Sequence, residues 1–277
     1  MDTVAIVGVG LIGGSFALAI REAGFAGTIV GVSSERTIAR ALELGVIDEG
    51  LGLEAAVRRA DLIYLAQPIL SIIETLERIG SWVRPEALIT DAGSTKAQIL
   101  ESARRHIKTG TFLGGHPMAG KESRGVDVAE ASLFRGRPYA LTPFKNKDLQ
   151  HPVALQLQTW IQTAGAHTLI LDAEEHDRLA AYVSHVPQLL STALAVTLSK
   201  QKDSATMAGR AAVELTRLAL SPYDIWRDIL VTNAGNIREA IRYMIAKLQY
   251  LNENLTERAL AEEFSDAGAF AEILRKQ

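Results

Sequence analysis

A chain of 277 residues that is 48% hydrophobic and 22% charged carries enough apolar material for more than one average domain. Its net charge of -3, with no long basic run, argues against nucleic acid or an anionic membrane as the main partner. It has no cysteine, which excludes disulfides, thiolate zinc sites and cysteine nucleophiles. The start Met1-Asp2-Thr3 lacks a basic region and glycines interrupt the apolar run that follows. Neither a signal peptide nor a transmembrane span is therefore expected, and the cytoplasm is the expected compartment.

Residues 3–7 read as a short buried strand that runs into Gly8-Val9-Gly10-Leu11-Ile12-Gly13-Gly14-Ser15 and then into an apolar helix over 16–23. Strand, GxGxxG and helix in this order predict a dinucleotide site. Gly8 makes the tight turn, Gly10 admits a pyrophosphate, and Gly13 lets the helix pack on the strand; the phosphates are expected at the helix N-terminus, with Leu11 and Ile12 also counted among the cofactor-binding residues. A glycine-rich turn without a ligand is the alternative.

Strand patterns at 28–32, 61–66, 87–91, 111–114, 139–143 and 167–172 alternate with helical patterns at 38–44, 69–79, 96–106 and 149–163. This order predicts an α/β fold with a mostly parallel, doubly wound sheet of the Rossmann type. Beyond 172 the strand signal stops, and 177–200, 205–219, 222–252 and 256–276 read as long helices. The expected division is a dinucleotide-binding domain over 1–172 and an all-helical domain over 173–277, packed closely because no flexible linker separates them.

Ligands of open α/β sheets bind beyond the carboxyl ends of the strands. The second strand is followed by Ser33-Ser34-Glu35-Arg36, where an NAD enzyme commonly offers an acid to the ribose. Two hydroxyls and Arg36 suit a 2′-phosphate and favour NADP; alternatively Glu35 supplies the acid for NAD and Arg36 is solvated. Gln67-Pro68 follows the next strand, and Asp91-Ala92-Gly93-Ser94-Thr95-Lys96 the one after. Ser94 and Lys96 read either as a helix cap with a solvated lysine or as groups that face a substrate. His116, in Gly114-Gly115-His116-Pro117-Met118-Ala119-Gly120, can take a hydroxyl proton while hydride leaves the same carbon, because imidazole titrates near neutrality; a turn histidine that only donates a hydrogen bond is the alternative. His106, His151 and His167 read as bystanders, and His176 and Asp177 as structural residues in a first helical turn with Glu174 and Glu175. His185 lies mid-helix in an apolar setting, where a buried histidine satisfied by its neighbours is the usual explanation.

The nucleotide turn, Thr90-Asp91-Ala92-Gly93-Ser94-Thr95-Lys96, His116-Pro117-Met118-Ala119-Gly120-Lys121-Glu122, Leu133-Phe134 and Leu141-Thr142-Pro143 together resemble the prephenate and arogenate dehydrogenases of tyrosine biosynthesis. In the helical half the resemblance continues through Glu175-His176-Asp177, Ser184-His185-Val186-Pro187, Thr216-Arg217 and Trp226-Arg227-Asp228-Ile229. It implies a Rossmann domain, a helical domain that forms a homodimer, and a substrate site between them. It further implies oxidative decarboxylation of a cyclohexadienol, with no metal required. His116 would accept the C4 hydroxyl proton and Ser94 would orient it. Arg217 would hold a carboxylate, and His185 and Lys96 would line the substrate site. Two departures stand out, Arg124-Gly125 where the family often has Ser-Gly and Val213-Glu214 where it often has a cation and Asp. The first bears on the local turn and the second on carboxylate contacts. The chain resembles the minimal, monofunctional form. The alternatives are a β-hydroxyacid dehydrogenase or imine reductase of the same plan, which usually employ a helical lysine, and a non-catalytic nucleotide-binding protein.

Overall fold

The computed structural model describes residues 1–121, 123–256 and 258–276, so Glu122 of the segment after His116 lies outside the described residues. Among the described residues eight strands form one sheet in the order β3-β2-β1-β4-β5-β6-β7-β8. They are β1 (Thr3–Val7), β2 (Thr28–Val32), β3 (Glu49–Gly50), β4 (Leu62–Leu65), β5 (Leu88–Asp91), β6 (Thr111–Pro117), β7 (Pro138–Pro143) and β8 (His167–Ile170). All neighbours run parallel except β6 and β7. Between strands lie α1 (Leu11–Glu22), α2 (Glu35–Glu43), α3 (Leu53–Arg59), α4 (Ile69–Ile79), α5 (Ala97–His106) and α6 (Pro152–Thr163). The central strands β1, β4 and β5 are buried on both sides, whereas the edge strands β3 and β8 are partly exposed. Val4 and Ile6 join Phe16 and Tyr64 in one core, while Ala5 and Val7 join Ile63 and Leu76 in the other, as the two-residue period of a strand requires. The order reverses between β1 and β4, which opens a crevice beyond their carboxyl ends.

Two local features of the sheet differ from the sequence reading. The two-residue β3 was not legible as a strand because it is too short to show a period. His116 lies within β6 rather than in a turn, opposite Ala140 of the antiparallel β7. Its preceding glycines serve close packing. A Cβ at Gly114 would sit 2.2 Å from the Thr142 hydroxyl oxygen, and one at Gly115 would sit 2.6 Å from the Asp91 carbonyl oxygen.

The helical half comprises α7 (Ala173–Ala180), α8 (Val186–Ser199), α9 (Ser204–Met207), α10 (Arg210–Thr216), α11 (Tyr223–Thr232), α12 (Ala234–Glu253) and α13 (Ala259–Arg275). A π-helical turn over Ala181–His185 joins α7 to α8, and a 3₁₀ turn over Arg217–Leu220 follows α10. The helix expected over 222–252 breaks at Asn233, whose backbone leaves the helical range and whose side chain is used in the site. Within the continuous run over 173–199 an 18-residue window reaches a mean hydropathy of 1.3, so by length and composition alone this helix is long and apolar enough to cross a membrane. Its first half nevertheless carries buried His176, Asp177 and His185, packed against the sheet domain. The internal core of this half is thin, consisting of Ala181, Val186, Ile237 and Ala240 with partly buried neighbours such as Ile241.

Candidate active site

The crevice beside β1 and β4 opens into a cleft of about 1040 Å³ lined by Gly8, Gly10, Ser33, Ser34, Arg36, Gln67 and Pro68, among others. Gly8 has φ +97°, and a Cβ there would also lie 2.7 Å from the Ala66 carbonyl oxygen. A Cβ at Gly13 would lie 2.2 Å from the Gly8 carbonyl oxygen, so helix and strand touch backbone to backbone. At Gly10 a Cβ would meet no atom within 4 Å, which leaves that side of the turn open to the cleft. Gly10 caps α1 with no side-chain hydrogen bond, and the first turn carries no acidic residue. An open approach to uncapped first-turn N–H groups fits a dinucleotide pyrophosphate. Leu11, Ile12 and Gly13 are not among the cleft-lining residues. The first two pack against the core, so only their backbone N–H groups can serve an anion.

Where the cleft meets the end of β2 the Ser34 hydroxyl caps α2 by accepting the Thr37 N–H at 3.3 Å. Arg36 is exposed and has no hydrogen bond or ion pair among the described residues. Arg40, one turn on, is engaged with Asp127 at 2.6 Å and with Glu43 at 2.6 Å. Gly125 and Asp127 join the lining from a loop far along the chain. Sequence reading missed that wall because only the tertiary fold brings it to α2.

Two strands away, β5 and β6 carry the ionisable groups. Asp91, fully buried, accepts the Gly115 N–H at 3.1 Å and the Gly93 N–H at 2.8 Å, and pairs with the Lys96 ammonium. Lys96 also donates to the Gly115 carbonyl oxygen at 2.6 Å. The expectation that Lys96 binds substrate is corrected here. The side chain is 0% exposed and its ammonium joins β5 to β6 beneath the site. Burial lowers its pKa, opposed by the charge and hydrogen bond of Asp91.

His116 is buried beside this pair, and its pKa is held well below the usual imidazole value, first by burial and then by the charges of His176, Lys96 and His185. It is therefore neutral near pH 7 and free to accept a proton. Its Nδ1 lies 2.9 Å from His176 Nε2, and His176 Nδ1 lies 2.8 Å from Asp177 Oδ1. The Asp177 carboxylate in turn accepts the N–H groups of Lys96 at 2.7 Å and Ala97 at 3.0 Å, so it caps α5 from another element. Sequence reading took His176 and Asp177 as structural residues because nothing in the first turn of α7 signals that it meets β6. Ser94 is half-buried after β5 and has no hydrogen bond to His116 among the described residues.

His185 closes the π-helical turn, a distortion that often accompanies functional sites. The Asn233 amide NH₂ donates to the Asp177 carbonyl oxygen at 2.7 Å and reaches His185 Nδ1 at 3.2 Å. The carbonyl can only accept, which fixes the amide orientation and makes His185 Nδ1 an acceptor, leaving Nε2–H as its donor. Burial lowers the His185 pKa to about 4. Asn233 was not singled out from sequence. The helical half is tied to the sheet domain at further points. Thr95 and Thr232 hydroxyls lie 2.8 Å apart, and Asp228 accepts the Leu70 N–H at the start of α4 at 3.2 Å. Arg217 lies exposed at the junction of α10 and the 3₁₀ turn, and Val213, one turn earlier, is also exposed.

A doubly wound sheet with a phosphate-binding turn, set beside a buried neutral histidine under a helical cap, defines the class of two-domain nucleotide-dependent dehydrogenases. Residues 16–169 match the family model described as prephenate dehydrogenase, nucleotide-binding domain, and residues 172–275 match prephenate dehydrogenase, dimerization domain. The chain belongs to the prephenate dehydrogenase family. It is 35% identical over 245 residues to the prephenate dehydrogenase of Bacillus subtilis, a match that covers 85% of this chain and 65% of that protein. The structure of the Aquifex aeolicus prephenate dehydrogenase, in complex with hydroxyphenyl propionate and NAD+, superimposes with a TM-score of 0.87 at 32% identity, covering 100% of this chain and 98% of that one. Synechocystis arogenate dehydrogenase gives a TM-score of 0.82 at 28% identity, covering 98% and 99%.

Proposed function

We propose that this protein oxidises a cyclohexadienol, prephenate or arogenate, with hydride transfer to NADP or NAD, followed by loss of the ring carboxylate as carbon dioxide. The observation that carries the proposal is a buried, neutral His116 whose Nδ1 is committed to His176 while Nε2 has no partner among the described residues. Bound nicotinamide nucleotide supplies the hydride acceptor. His116 Nε2 accepts the C4 hydroxyl proton as the carbonyl forms, and returns it to the ring oxygen when decarboxylation aromatises the ring, so no net proton is gained or lost. Ser94 steers the hydroxyl toward the imidazole. His185 donates Nε2–H, and Arg217 offers its guanidinium to a substrate carboxylate. The test is absorbance at 340 nm with both substrates and both nucleotides. Reduction with one of the substrates supports the reading, and no reduction by folded protein overturns it.

NADP is the favoured nucleotide. No carboxylate stands directly after β2, Ser33 and Ser34 line the cleft there, and Arg36 has no hydrogen bond or ion pair among the described residues. Arg36→Ala should weaken NADP binding far more than NAD binding in fluorescence titration; equal effects would remove the basis for the preference. We further propose a homodimer through the helical half. Val183, Tyr243, Leu248, Leu255, Phe264 and Phe270 are all exposed there, a larger apolar surface than a lone domain normally leaves in water. Ile245 is exposed with them, whereas Ile241 packs into the internal core. A monomeric mass by light scattering at micromolar concentration would refute the dimer.

A further inference from the structure

The hydrogen-bonded chain behind His116 leaves little freedom in where its protons sit. Asp177, as a carboxylate, can only accept, and it already accepts backbone N–H groups on both oxygens, from Lys96 on Oδ1 and Ala97 on Oδ2. The ring nitrogen 2.8 Å away, His176 Nδ1, is therefore the donor. A neutral imidazole with Nδ1–H has a bare Nε2, and this atom faces His116 Nδ1 at 2.9 Å, which must donate in turn. His116 is thereby left with its lone pair on Nε2.

We propose that His176 and Asp177 are positioning residues that hold His116 in its Nδ1–H tautomer, so that Nε2 is the atom that takes the substrate hydroxyl proton. This rests on the base assignment made above. In the step, the hydroxyl O–H bond breaks and an Nε2–H bond forms. The O–H electron pair becomes the second bond of the carbonyl as the same carbon gives up hydride to the nucleotide. The resulting imidazolium at His116 points its Nδ1–H at the His176 lone pair, with the Asp177 charge behind it. In the reverse arrangement His176 would donate through Nε2, and His116 would carry its proton on Nε2 and be unable to act as a base.

The arrangement also accounts for a burial that structure alone does not require. His176 is 3% exposed and Asp177 1% exposed, and they meet β6 from a helix that needs neither residue for its own cap, which Asp172 supplies. Asp177 links two functions, since the same carboxylate closes the N-terminus of α5 directly after the Asp91–Lys96 segment. A shift of α7 would therefore be felt at His116 and at the loop that carries Ser94.

The test is long-range ¹H–¹⁵N correlation on the full-length protein with ¹⁵N-labelled histidine near pH 8, with His116 signals assigned by their loss in His116→Asn. The expected result is the Nδ1–H pattern for both His116 and His176. An Nε2–H pattern at His116 in the unsubstituted protein overturns the proposal even if the enzyme is active. If instead the pattern is as expected but neither substrate is oxidised, the functional reading fails and the tautomer assignment survives. A second arm uses His176→Phe, which removes the acceptor, and His176→Gln, whose side-chain carbonyl can still receive the His116 Nδ1–H. His176→Phe should move His116 toward Nε2–H and lower kcat by about tenfold or more, with KM and nucleotide Kd changed by less than about twofold. His176→Gln should recover part of that kcat. Unchanged kcat in His176→Phe, or a loss confined to KM, would reject the positioning role.

Discussion

Replacing Lys96 with methionine separates two readings of this residue that the sequence left open. Lys96 and Asp91 are both 0% exposed and paired, so Lys96→Met leaves a carboxylate in the interior without its counter-charge. Removing one partner of a buried pair costs about 3–5 kcal/mol. Asp91 keeps the Gly93 and Gly115 N–H groups at 2.8 and 3.1 Å, and methionine fills most of the vacated volume. Both features place the expected loss near the lower end, about 3 kcal/mol, or roughly 6–12 °C in Tm for a protein of this size. The loss should appear in urea unfolding followed by tryptophan fluorescence, with protein concentration held fixed because association would add to the apparent stability. Adding Asp91→Asn should recover part of it, since the stranded charge is then gone. If Lys96→Met left stability within about 1 kcal/mol of the parent while raising KM tenfold or more, the lysine would be reaching substrate, and the argument from burial would be wrong.

His116→Asn should lower kcat by about 10²–10⁴ with little change in nucleotide affinity, because Asn cannot take the proton; near-normal turnover would give the histidine a structural role. Arg217→Ala should raise KM at least tenfold, a loss on the order of 2–5 kcal/mol, while the NADP Kd stays constant; an unaltered KM would assign the carboxylate to another group. Gly13→Ala should destabilise by about 1–3 kcal/mol because its Cβ would lie 2.2 Å from the Gly8 carbonyl oxygen. Gly10→Ala should unfold like the parent yet bind nucleotide at least tenfold more weakly, since its Cβ meets no protein atom but projects where the pyrophosphate is proposed to lie; unchanged affinity would move the phosphates elsewhere. Finally, the folded pKa of His185, about 4, lies below the unfolded value near 6.5, so the unfolded chain binds its proton first as pH falls. Stability should therefore drop by about 3 kcal/mol between about pH 7.5 and pH 4 from this residue alone. His116 adds in the same direction, and urea unfolding that shows no loss across this range would contradict the buried neutral state.

The sequence by itself determined the alternation of strand and helix, the glycine turn after β1 and the helical character of the second half. Each of these is a local property: two-residue and 3.6-residue periods, and backbone positions that a Cβ would block, are written in consecutive residues. The helix over Ile69–Ile79 and the first strand over Thr3–Val7 were legible to the residue for this reason. Tertiary structure decided what no local pattern carries. Lys96 looks like any solvated lysine after a strand until β6 brings the Gly115 carbonyl oxygen over it, and then it is an internal ion pair. His176 and Asp177 look like a polar first turn of a helix until α7 is set against α5 and β6, 60 residues earlier in the chain for the contact with His116. Asn233 reads as one position in a long helix until its amide finds the Asp177 carbonyl oxygen and the ring of His185, 48 residues away. Hydrogen-bond partners of buried polar groups are chosen by which elements pack together. Sequence can say that such a group must be satisfied, and only the packed fold can say by what, and so which nitrogen of each histidine is left to face a substrate.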